Sequence, residues 1–245
     1  MLKGADVCRP RQPSHDMMKQ MKLSIGRGIP SIPWQDISRY VAQQNPLELI
    51  KLIGTLRHLW DRARYRGMYT ILDYDSTLEL FDREGEKAII TRRQVIRFLQ
   101  DNVVAIHDHA WGDGELFAGY KCQPGVPVDI YEDGSKHNAL ISLRETKNRG
   151  DVIELWIERE IRRGFLAQDE WFETEIDHWM KNVKLSIIFP KARHCRRATL
   201  SRRSTGKTTL LSPNRFALLP DGRQKLTWET ARPKLHDRYT LKWRW

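Results

Sequence analysis

From Tyr69 to Ile161 runs of the chain place apolar residues at every second position, and a chain with that period buries them by forming β-strands with one face turned inward. Residues 151–161 are the clearest case. Ile153, Leu155, Ile157 and Ile161 share one face, while Glu154, Glu158 and Glu160 share the other with Trp156. Such alternation predicts an antiparallel sheet with one wet face. YTILDYDSTLELF and EKAIITRRQVIRFLQ flank the turn DREG, which predicts a β-hairpin. VVAIHDHAW is expected to continue that sheet, with GDGELFAGYKC following through a glycine turn. Residues 137–145 and 151–161 form a second candidate hairpin across TKNRG, and WFETEIDHWM reads as a further strand, although its charges also suit a helix.

The same period returns after residue 181. Val183, Leu185, Ile187 and Phe189 alternate with Lys184, Ser186 and Ile188 until Pro190 ends the run. RATLSRR and TTLLS flank the turn STGK, Leu226 and Trp228 mark a strand after the Asp221–Gly222 turn, and Tyr239, Leu241, Trp243 and Trp245 mark the last strand. Burying that final stripe would place the carboxy-terminal segment in the core. The fold class is therefore mainly β: an antiparallel β-sandwich-like body, a short helical amino-terminal part and a basic carboxy-terminal β-module.

Four regions follow from the pattern. Residues 1–34, rich in Pro, Gly, Arg and Lys, read as a flexible basic arm. Residues 35–67 read as a helical segment, in which Asn45 and Pro46 start a helix and Leu47, Ile50, Ile53, Leu56, Leu59 and Trp60 form its apolar stripe. Residues 68–180 form an acidic, mainly antiparallel β domain, and residues 181–245 a basic β-sandwich-like module packed on it. Charge sets that last boundary: residues 181–245 carry 17 Lys and Arg against 3 Asp and Glu, an excess larger than the +11 of the whole chain. The middle region is accordingly net acidic, and such polarity steers a polyanion or an acidic partner toward one end.

No run of about 18 apolar residues occurs, and the first residues lack the apolar stretch of a signal peptide. The three cysteines, Cys8, Cys122 and Cys195, are odd in number and far apart, which argues against a disulfide framework. Both observations point to a cytoplasmic protein. Membrane-surface binding is not expected either, since the basic residues lie on strands rather than on an amphipathic helix.

Lys191, Arg193, Arg196, Arg197, Arg202, Arg203 and Lys207 fall close together and could form a phosphate-contacting band on a hairpin. IHDHAWGDGE holds a different chemistry. On a strand His107 and His109 share a face, where two imidazoles could hold an ion with a carboxylate from a neighbouring strand such as Asp73 or Asp75. The plainer alternative puts Ile106 and Ala110 in the core and the histidines in water, and H-D-H alone specifies little. The pairs Asp73 with Asp75, Glu158 with Glu160 and Glu173 with Glu175 have the spacing that places two carboxylates on one strand face, a spacing that any acidic solvent face also produces. STGKTT is not a phosphate-binding loop, because Ser201 stands where the first glycine is required.

On this basis the chain reads as a non-enzymatic protein whose basic carboxy-terminal β surface binds nucleic acid or a larger assembly, without a cofactor or a metal. DNA or RNA, an acidic protein or a second copy of the chain would be its partner. Two alternatives stand beside it: a metal-dependent phosphodiester hydrolase centred on His107 and His109, and a scaffold subunit of a protein complex.

Overall fold

Alternation does become strands throughout the described part of the molecule. The computed structural model describes residues 67–245. In chain order the first strands are β1 (Tyr69–Leu80), β2 (Lys87–Phe98), β3 (Val103–Ala110), β4 (Glu115–Gln123) and β5 (Val126–Asp133). They are followed by β6 (Lys136–Lys147), β7 (Val152–Arg162), β8 (Asp169–Glu175), β9 (Asn182–Phe189) and β10 (Arg197–Arg202). The last are β11 (Lys207–Leu210), β12 (Phe216–Leu218), β13 (Gln224–Ala231) and β14 (Arg238–Arg244), with a 3-10 turn at Pro213–Arg215 before β12. The helical segment expected over 35–67 and the basic arm over 1–34 lie outside the described residues, apart from Gly67, which sits in a turn.

Three sheets share one core. The largest has the order β12-β13-β9-β1-β2-β7-β4, a second has β11-β10-β14-β8, and the third has β3-β6-β5. The hairpin across DREG forms as expected, with Leu80 opposite Ala88, and so does the hairpin across STGK, with Arg202 opposite Lys207. β7 keeps its apolar face in and its acidic face out, with Leu155 and Ile157 almost wholly buried and Trp156 exposed. The smaller sheets both lie on the inner face of the large one. Phe189 meets Trp243 edge to face, Trp228 packs on Tyr239 at 5.1 Å, and the Thr174 hydroxyl donates to the Tyr74 phenol oxygen at 3.1 Å. The carboxy-terminal stripe is core, as its pattern implied: Tyr239, Leu241, Trp243 and Trp245 are all buried, and β14 is an inner strand of its sheet.

Four expectations fail for topological reasons. β9 lies parallel to β1, pairing Ser76 with Leu185 and Leu78 with Ile187, so the large sheet is mixed rather than purely antiparallel, while the two smaller sheets are antiparallel. That pairing also removes the expected basic carboxy-terminal module: β9, β12 and β13 belong to the same sheet as β1, β2, β4 and β7, with the backbone of β9 paired on one side by β1 and on the other by β13 and its apolar inner face covered by the sheet packed over it. Segments 137–145 and 151–161 do not pair with each other. β6 is the middle strand of the small sheet and β7 pairs with β2 and β4, so the chain crosses between layers at 148–151. Likewise β3 leaves the β1–β2 sheet and pairs with β6. The glycine turn after β3 is obligatory where it touches β7: Gly114 has φ +78°, and a Cβ there would stand 2.4 Å from the Arg162 carbonyl oxygen. Among the described residues, no helix is long and apolar enough to cross a membrane.

Candidate metal centre and buried polar network

β3 and β8 are edge strands of the two smaller sheets, and their edges face one another across a seam instead of pairing. The inward alternation of β3 sends Ile106, Asp108 and Ala110 into the core and leaves His107 and His109 on the other face. On β8 it sends Phe172, Thr174 and Ile176 inward and leaves Glu173, Glu175 and, just past the strand, Asp177 on the side of the seam. His109, Glu175 and Asp177 therefore converge. One ligand atom from each lies within 4.8 Å of the others, and His109 Nε2 is already 3.4 Å from Asp177 Oδ2. These residues stand on a cleft of about 480 Å³ that runs inward between the sheets.

The surrounding side chains hold the three groups in place. Trp111 stacks on the His109 ring at 5.4 Å and donates through Nε1 to Glu173 at 3.1 Å. Arg238 and Lys136 approach Glu175 at 3.5 and 3.9 Å, both at Oε2, which leaves Oε1 open. Burial, assisted by the positive charges of Lys136, Arg92 and Arg159, outweighs the attraction of Asp108 and holds the His109 imidazole down at about 4. It is thus neutral near pH 7, the form that ligates a metal.

Deeper in the cleft lies a network of charged residues enclosed by the three sheets. Arg92 on β2 donates through Nη2 to Asp108 Oδ1, and the Tyr120 hydroxyl donates to Asp108 Oδ2 at 2.9 Å. Burial alone would raise the Asp108 carboxyl, but Arg92 and then Arg159 outweigh it and hold it at about 2. Burial and the Asp108 charge push the Tyr120 phenol upward, so it stays a donor. Arg159 on β7 donates to the His109 carbonyl oxygen at 3.3 Å and lies over the Phe117 ring.

Of the four residues considered as metal ligands from the sequence, His109 alone joins the cluster. His107 is exposed and meets the Tyr131 hydroxyl at 3.2 Å. Asp73 and Asp75 lie on the outer face of β1, where they pair with Arg93 at 2.7 Å and Lys184 at 2.8 Å, so the thickness of the sheet separates them from His109. Glu175 carried a signal in its spacing from Glu173, while nothing local marked Asp177. Of the basic residues, Arg202 pairs with Asp237 at 3.2 Å, and Arg193 donates to the Arg83 carbonyl oxygen at 2.8 Å while lying 4.1 Å above the Trp245 ring. Lys191, Arg196, Arg197, Arg203 and Lys207 are exposed.

The cluster corrects the reading of this chain as a non-enzymatic nucleic-acid-binding or assembly protein. One imidazole and two carboxylates converge on the cleft as a group that could hold a metal ion, which points to metal-dependent chemistry instead.

No family model matches the chain, and no curated protein matches it. Solved structures similar to it include the M1 zinc metallopeptidase from Deinococcus radiodurans, at 10% identity, covering 72% of this chain and 42% of that chain with a TM-score of 0.43. A point mutant of that enzyme matches at 10% identity over 72% of this chain and 42% of its own, with a TM-score of 0.45. The same mutant bound to a Tyr-Ser-Ala substrate matches at 11% over 71% of this chain and 42% of its own, with a TM-score of 0.44. The aligned part thus spans less than half the length of each of these chains.

Proposed function

We propose that this protein is a metal-dependent hydrolase whose divalent cation is held by His109, Glu175 and Asp177. The convergence of their three donor atoms within 4.8 Å at the cleft carries this reading. A tetrahedral ion with bonds of about 2.0–2.2 Å has ligands roughly 3.4 Å apart, the present separation of His109 and Asp177, so a small inward shift of Glu175 completes the set. A nitrogen with two carboxylate oxygens suits zinc or manganese, and three protein ligands leave a position open for water. When bound, such an ion supplies an acidified water and polarises the bond to be cleaved.

The protein's own groups do the remainder. Neutral His109, clamped by Trp111, offers a fixed lone pair rather than a proton. Glu173 is committed to Trp111, Thr240 and Arg238, and so acts as a brace for the seam. Lys136 and Arg238 place positive charge beside Glu175, where an oxyanion develops during hydrolysis. A cleft of about 480 Å³ accepts a small molecule or one side chain of a larger substrate.

The test is calorimetric titration of the chelator-treated protein with zinc and manganese, followed by a chelator-sensitive assay on small esters, phosphoesters and peptides. One equivalent of metal is expected to bind, and Asp177→Asn should weaken it by at least the ~10–100-fold typical of losing an outer-shell partner. No stoichiometric binding, or equal binding by Asp177→Asn, removes the proposal.

A further inference from the structure

The inward faces of four adjacent strands are interrupted by polar residues at one level. On β7 the apolar series Ile153, Leu155, Ile157, Ile161 breaks at Arg159, which is 7% exposed. On β2 the series Ile90, Ile96, Phe98 breaks at Arg92 and Gln94, and on β1 it breaks at Ser76. These breaks are neighbours. Ser76 lies directly opposite Arg92, Arg92 lies opposite Ile157 two residues from Arg159, and Arg159 lies opposite Tyr120 on β4. A polar band therefore crosses the inner face of the large sheet and forms the inner wall of the cleft.

The charges in that band do not balance. Two buried guanidiniums face one carboxylate, Asp108, and that carboxylate is hydrogen-bonded by Arg92 and Tyr120. Arg159 forms no ion pair with any carboxylate among the described residues, its one hydrogen bond is to a backbone carbonyl, and its Nε has no partner. Arg92 Nε is also without one. A buried cation lacking a counter-charge is costly, and clefts that keep such a group use it to receive a ligand. The carboxylates at the mouth do not neutralise it: Glu173 and Glu175 face Arg238, and Asp177 faces His109.

We propose that the inner end of the cleft is an oxyanion subsite, in which Arg159, beside Arg92, receives a phosphoryl or carboxylate group of a small substrate. The guanidinium fork matches either group with paired N–H donors. Its role as a substrate subsite rests on the hydrolase reading, since the same cleft carries His109, Glu175 and Asp177; the binding of the anion does not.

The experiment follows thermal unfolding in chelator, with inorganic phosphate in one arm and acetate in the other, each against sodium chloride at matched ionic strength. At about tenfold over its dissociation constant, the preferred anion should raise the wild-type melting temperature by about 3–6 °C, and the arm that responds tells phosphoryl from carboxylate. Arg159→Met should lose that response while melting no lower than wild type in anion-free buffer, because it removes an uncompensated charge. Arg159→Lys should keep part of it. Equal responses in wild type and Arg159→Met, a lower anion-free melting temperature for Arg159→Met, or no response to either anion would each overturn the proposal. The two readings fail separately. Asp177→Asn should respond to phosphate or acetate as wild type does even if no metal ever binds, and loss of the anion response leaves metal binding by wild type untouched.

Discussion

Replacing Asp108 by Asn tests the buried network most directly, since it removes one charge and almost no volume. Asp108 is 3% exposed, accepts from Arg92 and Tyr120, and is the carboxylate that pairs with Arg92, with Arg159 near enough to feel its charge. The asparagine leaves Arg92, like Arg159, buried without a counter-charge. Breaking a buried pair in this way costs about 3–5 kcal/mol. For a chain of this size each kcal/mol is worth about 2–4 °C, so the melting temperature should fall by about 6–20 °C. Urea and thermal unfolding of Asp108→Asn, Arg92→Met and the double variant measure the loss, and the double variant should recover part of it because neither partner is then stranded.

The same substitution has a pH signature. The Asp108 carboxyl titrates at about 2 in the folded protein, below the ~3.9 of an unfolded chain. A depressed carboxyl contributes stability that is fully present above its unfolded value and is lost as pH falls through its folded value. The gap between wild type and Asp108→Asn should therefore shrink by about 2 kcal/mol between roughly pH 5 and pH 1. A loss below about 1 kcal/mol at pH 7, against the 3–5 expected of a broken buried pair, would refute the reasoning. So would a gap that stays constant on acidification.

Trp243→Ala should cost about 3–5 kcal/mol by equilibrium denaturation, as this side chain is buried against Phe165, Phe189 and Trp245. Gly114→Ala should destabilise by about 1–3 kcal/mol or shift the β3–β4 turn, since it meets both a positive φ and the Arg162 carbonyl; an unchanged unfolding curve would show that the turn relaxes freely. Ser substitutions at exposed Arg196 and Arg197 should change stability by no more than about 0.5 kcal/mol, measured by the same curves.

The strands could be read from the sequence because period two is a local property: a residue's face follows from its parity, and DREG and STGK are rich in turn-forming residues and close hairpins here. Strand partners could not be read in the same way. TKNRG looks like a hairpin turn, yet β6 and β7 belong to different sheets, because each finds its edge among strands distant in sequence. Charge misled for a related reason. The basic excess after residue 181 resembled a separate surface, but Arg202, Arg223, Arg238 and Arg244 reach carboxylates at Asp237, Glu79, Glu173 and Asp169. A net charge counts residues and says nothing of which ones face each other.

The candidate site divides along the same line. His109 and the acid pair of Glu173 and Glu175 were visible as residue types at a suitable spacing. Their meaning was not. Asp73 and Asp75, not Glu175, were the carboxylates expected beside His109 until the sheets placed them on an outer face, and Asp177 had no local mark at all. What the sequence determined by itself is the β class, the buried faces of runs such as Ile153–Ile161 and Val183–Phe189 and the burial of the final aromatic stripe, because these depend on neighbours along the chain. What the tertiary structure alone decided is the mixed sheet order, the meeting of β3 with β8, and the enclosure of two arginines with one aspartate, because these depend on which strands bury each other's faces.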